Sequence, residues 1–184
     1  MVTVGTDEAS SLKALELALH HAPRGVFATV GVHPHEASSV AGGLPGALDD
    51  LARHDRVVAV GETGLDFFYD HSPREVQKKV FAFHVAWALK VGKPLVVHVR
   101  DAFDEALEIL KSEGAAGIGG VFHCFSGTWE QAVAALDLGF YLSFAGPLTF
   151  SKGEALRDVA SRIPRDRLLC ETDAPYLAPH PFRG

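Results

Sequence analysis

The chain has 184 residues, 47% hydrophobic and 22% charged, with a formal net charge of −6. This composition suits one globular domain with a sizeable core, although a complete eight-stranded β/α barrel typically needs about 250 residues. The acidic balance excludes a protein that holds nucleic acid through a broad basic surface, but not one that grips a phosphodiester through bound metal and a few local Arg or Lys. No apolar run is long enough to cross a bilayer, and no basic, apolar leader opens the chain. Cys124 and Cys170 lie inside apolar runs and read as buried thiols of a reducing compartment, so the expected location is cytoplasmic.

Met1-Val2-Thr3-Val4-Gly5-Thr6 reads as a strand, and Asp7 as the N-cap of an amphipathic helix through Leu12, Leu15, Leu17 and Leu19. A strand over residues 27–32 runs into His33. A Gly-rich stretch over 41–46 precedes a short helix near 47–53. A strand over 57–61 runs into Glu62, followed by a polar, aromatic loop over 64–71. Ser72-Pro73 looks like an N-cap with Pro at the first helical position, for a helix carrying Val76, Val80, Phe83, Trp87 and Val91 and capped by Gly92. A strand over 95–97 runs into His98, and Asp101 caps a helix through Phe103, Ala106, Leu107 and Leu110. A strand over 120–122 runs into His123, and Thr128 caps a helix through Val133 and Leu136. A strand over 140–146 follows, then a helix capped by Ser151 through Leu156, Val159 and Ile163. The last strand, over 168–170, runs into Glu171-Thr172-Asp173. This alternation of seven strands and six helices predicts an α/β fold, a TIM-type (β/α)8 barrel with seven strands present, as one domain over residues 1–184.

Five apolar runs therefore end at an imidazole or a carboxylate. Parallel strands of a barrel gather their C-terminal ends around one mouth, so residues distant in sequence can meet there. Side chains alternate along a strand, which puts His33 and His35 on one side and Glu171 and Asp173 on one side. Histidines with carboxylates make a divalent-metal site, and a carboxylate can bridge two metals. Glu62 is the bridging candidate, because Gly61 and Gly64 permit close approach. Two successive strands ending in His98 and His123 favour ligation over packing. His20, His21, His54, His71, His84 and His180 read as ordinary loop, surface or packing residues. Arg100 reads either as a phosphate contact or as a solvated charge, Lys93 as a solvated charge, and Phe67, Phe68 and Tyr69 as the lining of a substrate cleft or a cover for the barrel mouth.

Five stretches, Gly31-Val32-His33-Pro34-His35, Gly61-Glu62-Thr63-Gly64-Leu65-Asp66, Val97-His98-Val99-Arg100-Asp101-Ala102, His123-Cys124-Phe125-Ser126-Gly127 and Glu171-Thr172-Asp173-Ala174-Pro175-Tyr176-Leu177, are together similar to the TatD family of metal-dependent deoxyribonucleases and related hydrolases. They occur in family order along nearly the whole chain. The resemblance implies a metal-hydrolase barrel with Glu62 bridging up to two divalent ions (Mg, Mn or Zn). It implies His98 and His123 as ligands of one ion, and Asp173 as a ligand and water-activating base. It places His33 and His35 beside the substrate phosphate, and Asp66 and Arg100 join them as candidate substrate-binding residues. The implied substrate is DNA, cut by a metal-activated water.

The family opens with a strand carrying a His-x-His metal pair and closes with further helices; neither is found here, and the chain ends at Pro181-Phe182-Arg183-Gly184. The expectation is an incomplete barrel with open edges at Met1–Gly5 and Leu168–Cys170, prone to self-association and holding one metal better than two. Two other readings stay open: hydrolysis of another ester, amide or phosphotriester at the same metals, or a non-catalytic fragment.

Overall fold

The computed structural model describes residues 1–182. Arg183 and Gly184, the end of the closing stretch, lie outside the described residues. Seven strands, β1 (Val2–Thr3), β2 (Phe27–Val30), β3 (Val57–Asp66), β4 (Leu95–Arg100), β5 (Gly120–Phe122), β6 (Tyr141–Phe144) and β7 (Leu168–Cys170), form one sheet in sequential order. Every neighbouring pair is parallel. Each crossover carries a helix: α1 (Glu8–His20), α2 (Gly46–Ala52), α3 (Arg74–Val91), α4 (Phe103–Ser112), α5 (Trp129–Asp137) and α6 (Glu154–Arg162). One helix per parallel crossover, with no strand skipped, is the winding of a TIM-type barrel. The described helices include none long and apolar enough to cross a membrane.

The core sits between sheet and helices, where Val30, Leu65, Leu95, Phe122 and Leu142 of the strands meet Phe81, Leu110 and Phe140, all fully buried. Some ends follow local chemistry. Asp7 forms a capping box with Ser10, Thr128 forms one with Gln131, and Gly92 closes α3 at φ 66°. Other ends depart from the local signal. Asp101 takes φ 54° and the N-cap of α4 is Ala102, without a side-chain cap. Gly153, not Ser151, precedes α6, and Pro73, not Ser72, precedes α3. The Ser72 hydroxyl is engaged elsewhere: it donates to the His35 carbonyl (2.9 Å) and accepts the Ser38 N–H (3.0 Å).

Helix α1 packs through small residues. Ser11, Ala14, Leu15 and Ala18 are buried, whereas Leu12, Leu17 and Leu19 are exposed. The Ser11 hydroxyl accepts the Gly31 N–H (3.2 Å), so at Ser11 the helix lies too close to the strands for a larger side chain. At the sheet's ends, neither β1 nor β7 pairs on its outer side among the described residues. Met1, Val2, Val4 and Leu169 are exposed there, and Leu168 is half-buried. Cys170 shares that edge and is exposed, while Cys124 is half-buried; the expectation of two buried thiols is therefore corrected.

Candidate metal centre

Strand β3 does more than its apolar run suggests. Residues 64–66, expected in a loop, continue the strand and pair with His98, Val99 and Arg100 of β4. The register shifts between Val60 and Thr63, which places Glu62 inside the irregularity. The flanking glycines serve strand contact. A Cβ on Gly64 would lie 2.0 Å from the His98 carbonyl oxygen, and one on Gly61 would lie 2.4 Å from that of Val96. Close approach at these positions is thus to the β4 backbone.

Three imidazoles converge on one carboxylate oxygen. Glu62 Oε1 lies 2.7 Å from His123 Nε2, 3.2 Å from His98 Nδ1 and 3.3 Å from His33 Nε2. His98 Nδ1 and His123 Nε2 are 3.4 Å apart. Nitrogens of His33 and His98 and an oxygen of Glu62 all lie within 4.8 Å of one another, a spacing one cation can bridge. Burial alone would raise the Glu62 pKa, but the charge of His123 and hydrogen bonds from His123, His33 and His98 outweigh it and hold the carboxyl well below its usual range. Burial likewise opposes protonation of His123, yet Glu62 and Glu171 carry its pKa up to about 10. Strong shifts of opposite sense at one point mark a site that stabilises positive charge.

The far side of each ring decides its tautomer. His98 Nε2 lies 3.1 Å from Asp66 Oδ2, and His123 Nδ1 lies 3.5 Å from Glu171 Oε1. A carboxylate holds the ring proton at those outer atoms, so it is the inner protons on His98 Nδ1 and His123 Nε2, now bonded to Glu62, that a cation would displace to reach the lone pairs. His33 is arranged the other way. Its Nδ1 accepts the His35 N–H (3.2 Å), so in the neutral ring the proton sits on Nε2 and points at Glu62. Burial lowers the His33 pKa despite the Glu62 carboxylate, which keeps this ring neutral.

Asp66 is 1% exposed, and its contacts are internal. Oδ2 meets His98 and His35 Nε2 (3.0 Å), and Oδ1 accepts the Phe68 and Tyr69 N–H groups (3.1 and 2.9 Å). Burial raises its pKa, but hydrogen bonds from His98, Tyr69 and His35 hold it far below the usual carboxylate range. Gln77 of α3, buried, accepts the Asp66 N–H (2.8 Å) and donates to its carbonyl (3.0 Å). Glu171 accepts the Cys124 N–H and the Ser143 hydroxyl (2.8 Å) as well as facing His123. Asp173 is half-buried and close enough for its charge to help raise the Cys124 thiol, but its carboxylate makes no hydrogen bond or ion pair among the described residues.

Three residues read as ordinary have defined places. His84 is fully buried: its Nε2 accepts the Val32 N–H (3.0 Å) and its Nδ1 donates to the Val80 carbonyl (2.8 Å). His71 packs against His35, with ring centroids 4.6 Å apart, and so belongs to the site's rim. Lys93 donates to the Val57 and His54 carbonyls, at and just before the start of β3, and takes no part in the site. Arg100 is exposed at the end of β4 and lies over the Phe68 ring. A cavity of about 270 Å³ opens beside His123, lined by Asp101, Phe103, Phe125 and Gln131 among others.

The TatD related DNase family matches the chain over residues 1–184. An uncharacterized metal-dependent hydrolase of Bacillus subtilis, YabD, is 42% identical over the whole chain, which spans 71% of that relative. Another of Escherichia coli, YcfH, is 45% identical over 86% of this chain and 59% of its own length. The 3′-5′ ssDNA/RNA exonuclease TatD of Klebsiella pneumoniae is 38% identical over the whole chain and 69% of that protein. The crystal structure of the TatD homolog YJJV of Escherichia coli superposes with a TM-score of 0.85 at 28% identity, covering all of this chain and 70% of that one.

Proposed function

We propose that this chain, which belongs to the TatD family of metal-dependent hydrolases, cleaves phosphodiester bonds of single-stranded nucleic acid with a water activated at a divalent cation. The carrying observation is the meeting of His33, His98 and His123 on Glu62 Oε1. The name of the Klebsiella pneumoniae relative supports the nucleic-acid substrate. The donor set fits a cation. Asp66 and Glu171 hold the outer ring protons of two imidazoles, which would turn their inner nitrogens to an ion once it displaces the protons shared with Glu62, and Glu62 stays ionised. Glu62, His98, His123 and Asp173 would hold the ion, with Glu62 the member able to bridge a second. Imidazole with carboxylate suits Mn or Zn. When bound, such an ion supplies Lewis acidity, which lowers the pKa of water and neutralises phosphodiester oxygens.

The remaining steps belong to the chain's own residues. His33 carries its proton on Nε2, now directed at Glu62, and would turn that donor to a non-bridging phosphate oxygen. It does so without becoming a ligand, because its Nδ1 is committed to the His35 backbone. His35, fixed by Asp66, packs against the His33 ring and holds it in place beside the phosphate. Asp173 has no side-chain partner among the described residues, and its carboxylate is free to receive the proton of the attacking water. The test is nucleotide release from an end-labelled single-stranded oligonucleotide with Mn present. Wild type releases nucleotides, whereas excess chelator or Glu62→Ala abolishes release while the thermal melt stays cooperative. Undiminished cleavage by Glu62→Ala, or in excess chelator, overturns the assignment.

A further inference from the structure

The turn after β3 leaves two large rings in water beside the site. Phe67 is 7% exposed, but Phe68 and Tyr69 are 54% and 52% exposed. These rings are held, not loose. Both backbone N–H groups are anchored on Asp66 Oδ1. The rings meet edge to face, with centroids 4.9 Å apart. The Arg100 guanidinium carbon lies 3.9 Å from the Phe68 centroid and 4.8 Å from that of Tyr69. Tyr69 also stacks on His71, 7° from parallel, and meets the edge of His35 at 5.5 Å. The patch is therefore one ring contact away from the Glu62 cluster, since His35 and His33 pack at 4.3 Å.

We propose that Phe68, Tyr69 and Arg100 form a stacking platform for an unpaired base of the nucleic-acid strand whose phosphodiester lies at the Glu62 cluster. This proposal rests on the nuclease reading and adds to it how the strand is held. Exposed π-faces bind any base, and a guanidinium laid on them adds cation–π attraction and attracts the neighbouring phosphate. Such a cation is local in a chain whose net charge is −6, so this patch complements a polyanion where the whole surface does not. The anchoring gives the patch a function at distance. One carboxylate, Asp66, fixes both the platform's backbone and the Nε2 atoms of His35 and His98, so a base on the platform is placed in fixed relation to the reacting phosphate. Stacking holds a splayed base and not a paired one, so the platform favours single strands over duplex.

The experiment compares kcat and KM on a short single-stranded oligodeoxynucleotide and on the same backbone made abasic throughout, with Mn present. Wild type should favour the intact strand in kcat/KM by roughly 5- to 150-fold, the scale of one stacked base. Phe68→Ala and Tyr69→Ala should each remove most of that preference, mainly through KM, while leaving the abasic strand's kcat/KM unchanged. Tyr69→Phe should keep the preference. Both rings are exposed, and a thermal melt equal to wild type excludes unfolding as the cause. If wild type cleaves both strands equally, the nuclease reading stands and the platform falls. Alanine variants that slow both strands alike also overturn the platform. If wild type cleaves neither strand, the nuclease reading falls and the platform with it.

Discussion

Asp66→Asn separates a positioning carboxylate from the metal site it serves. The substitution conserves shape at a residue that is 1% exposed, so the packing around it is kept. The chemistry at one atom changes. Asn would present an NH₂ where Oδ2 now faces His98 Nε2 at 3.1 Å and His35 Nε2 at 3.0 Å. Turning the amide over only moves the conflict to the Phe68 and Tyr69 N–H groups on the other side. The least costly escape is for His98 to give up its Nε2 proton and keep one on Nδ1. That atom faces Glu62 Oε1 at 3.2 Å, so a proton fixed there denies a cation the lone pair it needs. Loss of such a partner to a ligating imidazole typically costs about 10- to 100-fold in metal affinity, or about 1.4–2.8 kcal/mol. Calorimetric titration with Mn or Zn measures the affinity, and histidine ¹⁵N chemical shifts of the metal-free protein read the tautomer. Metal affinity within about twofold of wild type, with His98 still protonated on Nε2, would refute the argument.

Glu171→Ala should weaken metal binding by about tenfold, because His123 Nδ1 loses its carboxylate and the Cys124 N–H loses its acceptor; unchanged affinity would show that Glu171 does not orient His123. His84 gives acid sensitivity of known sign: burial lowers its pKa to about 4 in the folded chain, whereas the unfolded chain takes up the proton near 6.5. The unfolded state therefore binds more protons between these values, and His84 removes stability as pH falls through that window, by about 2 kcal/mol at pH 5. Urea melts of wild type and His84→Gln in excess chelator should diverge by that amount between pH 7.5 and pH 5, and parallel losses would contradict it. Residues 1–184 expressed alone should self-associate through the β1 and β7 edges, where Met1, Val2, Val4 and Leu169 are exposed; a monomer by light scattering at high concentration would exclude this.

The strand frame was legible because buried parallel strands are short, β-branched and apolar, and because helix ends such as Asp7, Thr128 and Gly92 obey rules local to a few residues. The gathering of Glu62, His98 and His123 was legible for the same reason: each lies in or just after the C-terminal part of a strand, and sequential parallel winding brings those ends to one mouth. Local rules failed where a side chain found a distant partner. Ser72 reads as a cap, but its hydroxyl is taken by residues 34 and 37 positions away. Leu12, Leu17 and Leu19 read with Leu15 as a buried stripe, yet the Ser11 contact just after β2 turns the Ser11, Ala14, Leu15 and Ala18 face inward and leaves those three exposed.

The polar residues of α3 carry the lesson furthest. Gln77 and His84 are polar residues at helical spacing with Val80, Phe81 and Ala88, on the face that packs against the sheet. Both are fully buried, because each completes a backbone group that the strands leave open next to the site. Gln77 completes both the N–H and the carbonyl of Asp66. His84 completes the N–H of Val32, immediately before His33. A buried donor or acceptor without a partner costs about 1–3 kcal/mol, so these side chains are required wherever β3 and β2 bend to deliver their ionisable residues. The helix thus does more than cover the sheet. It fixes the backbone on which Asp66 and His33 stand, and through Asp66 it fixes the proton of His98 and the aromatic turn together. A metal site of this kind is specified as much by amide and imidazole groups in the helix behind it as by the histidines that face the ion.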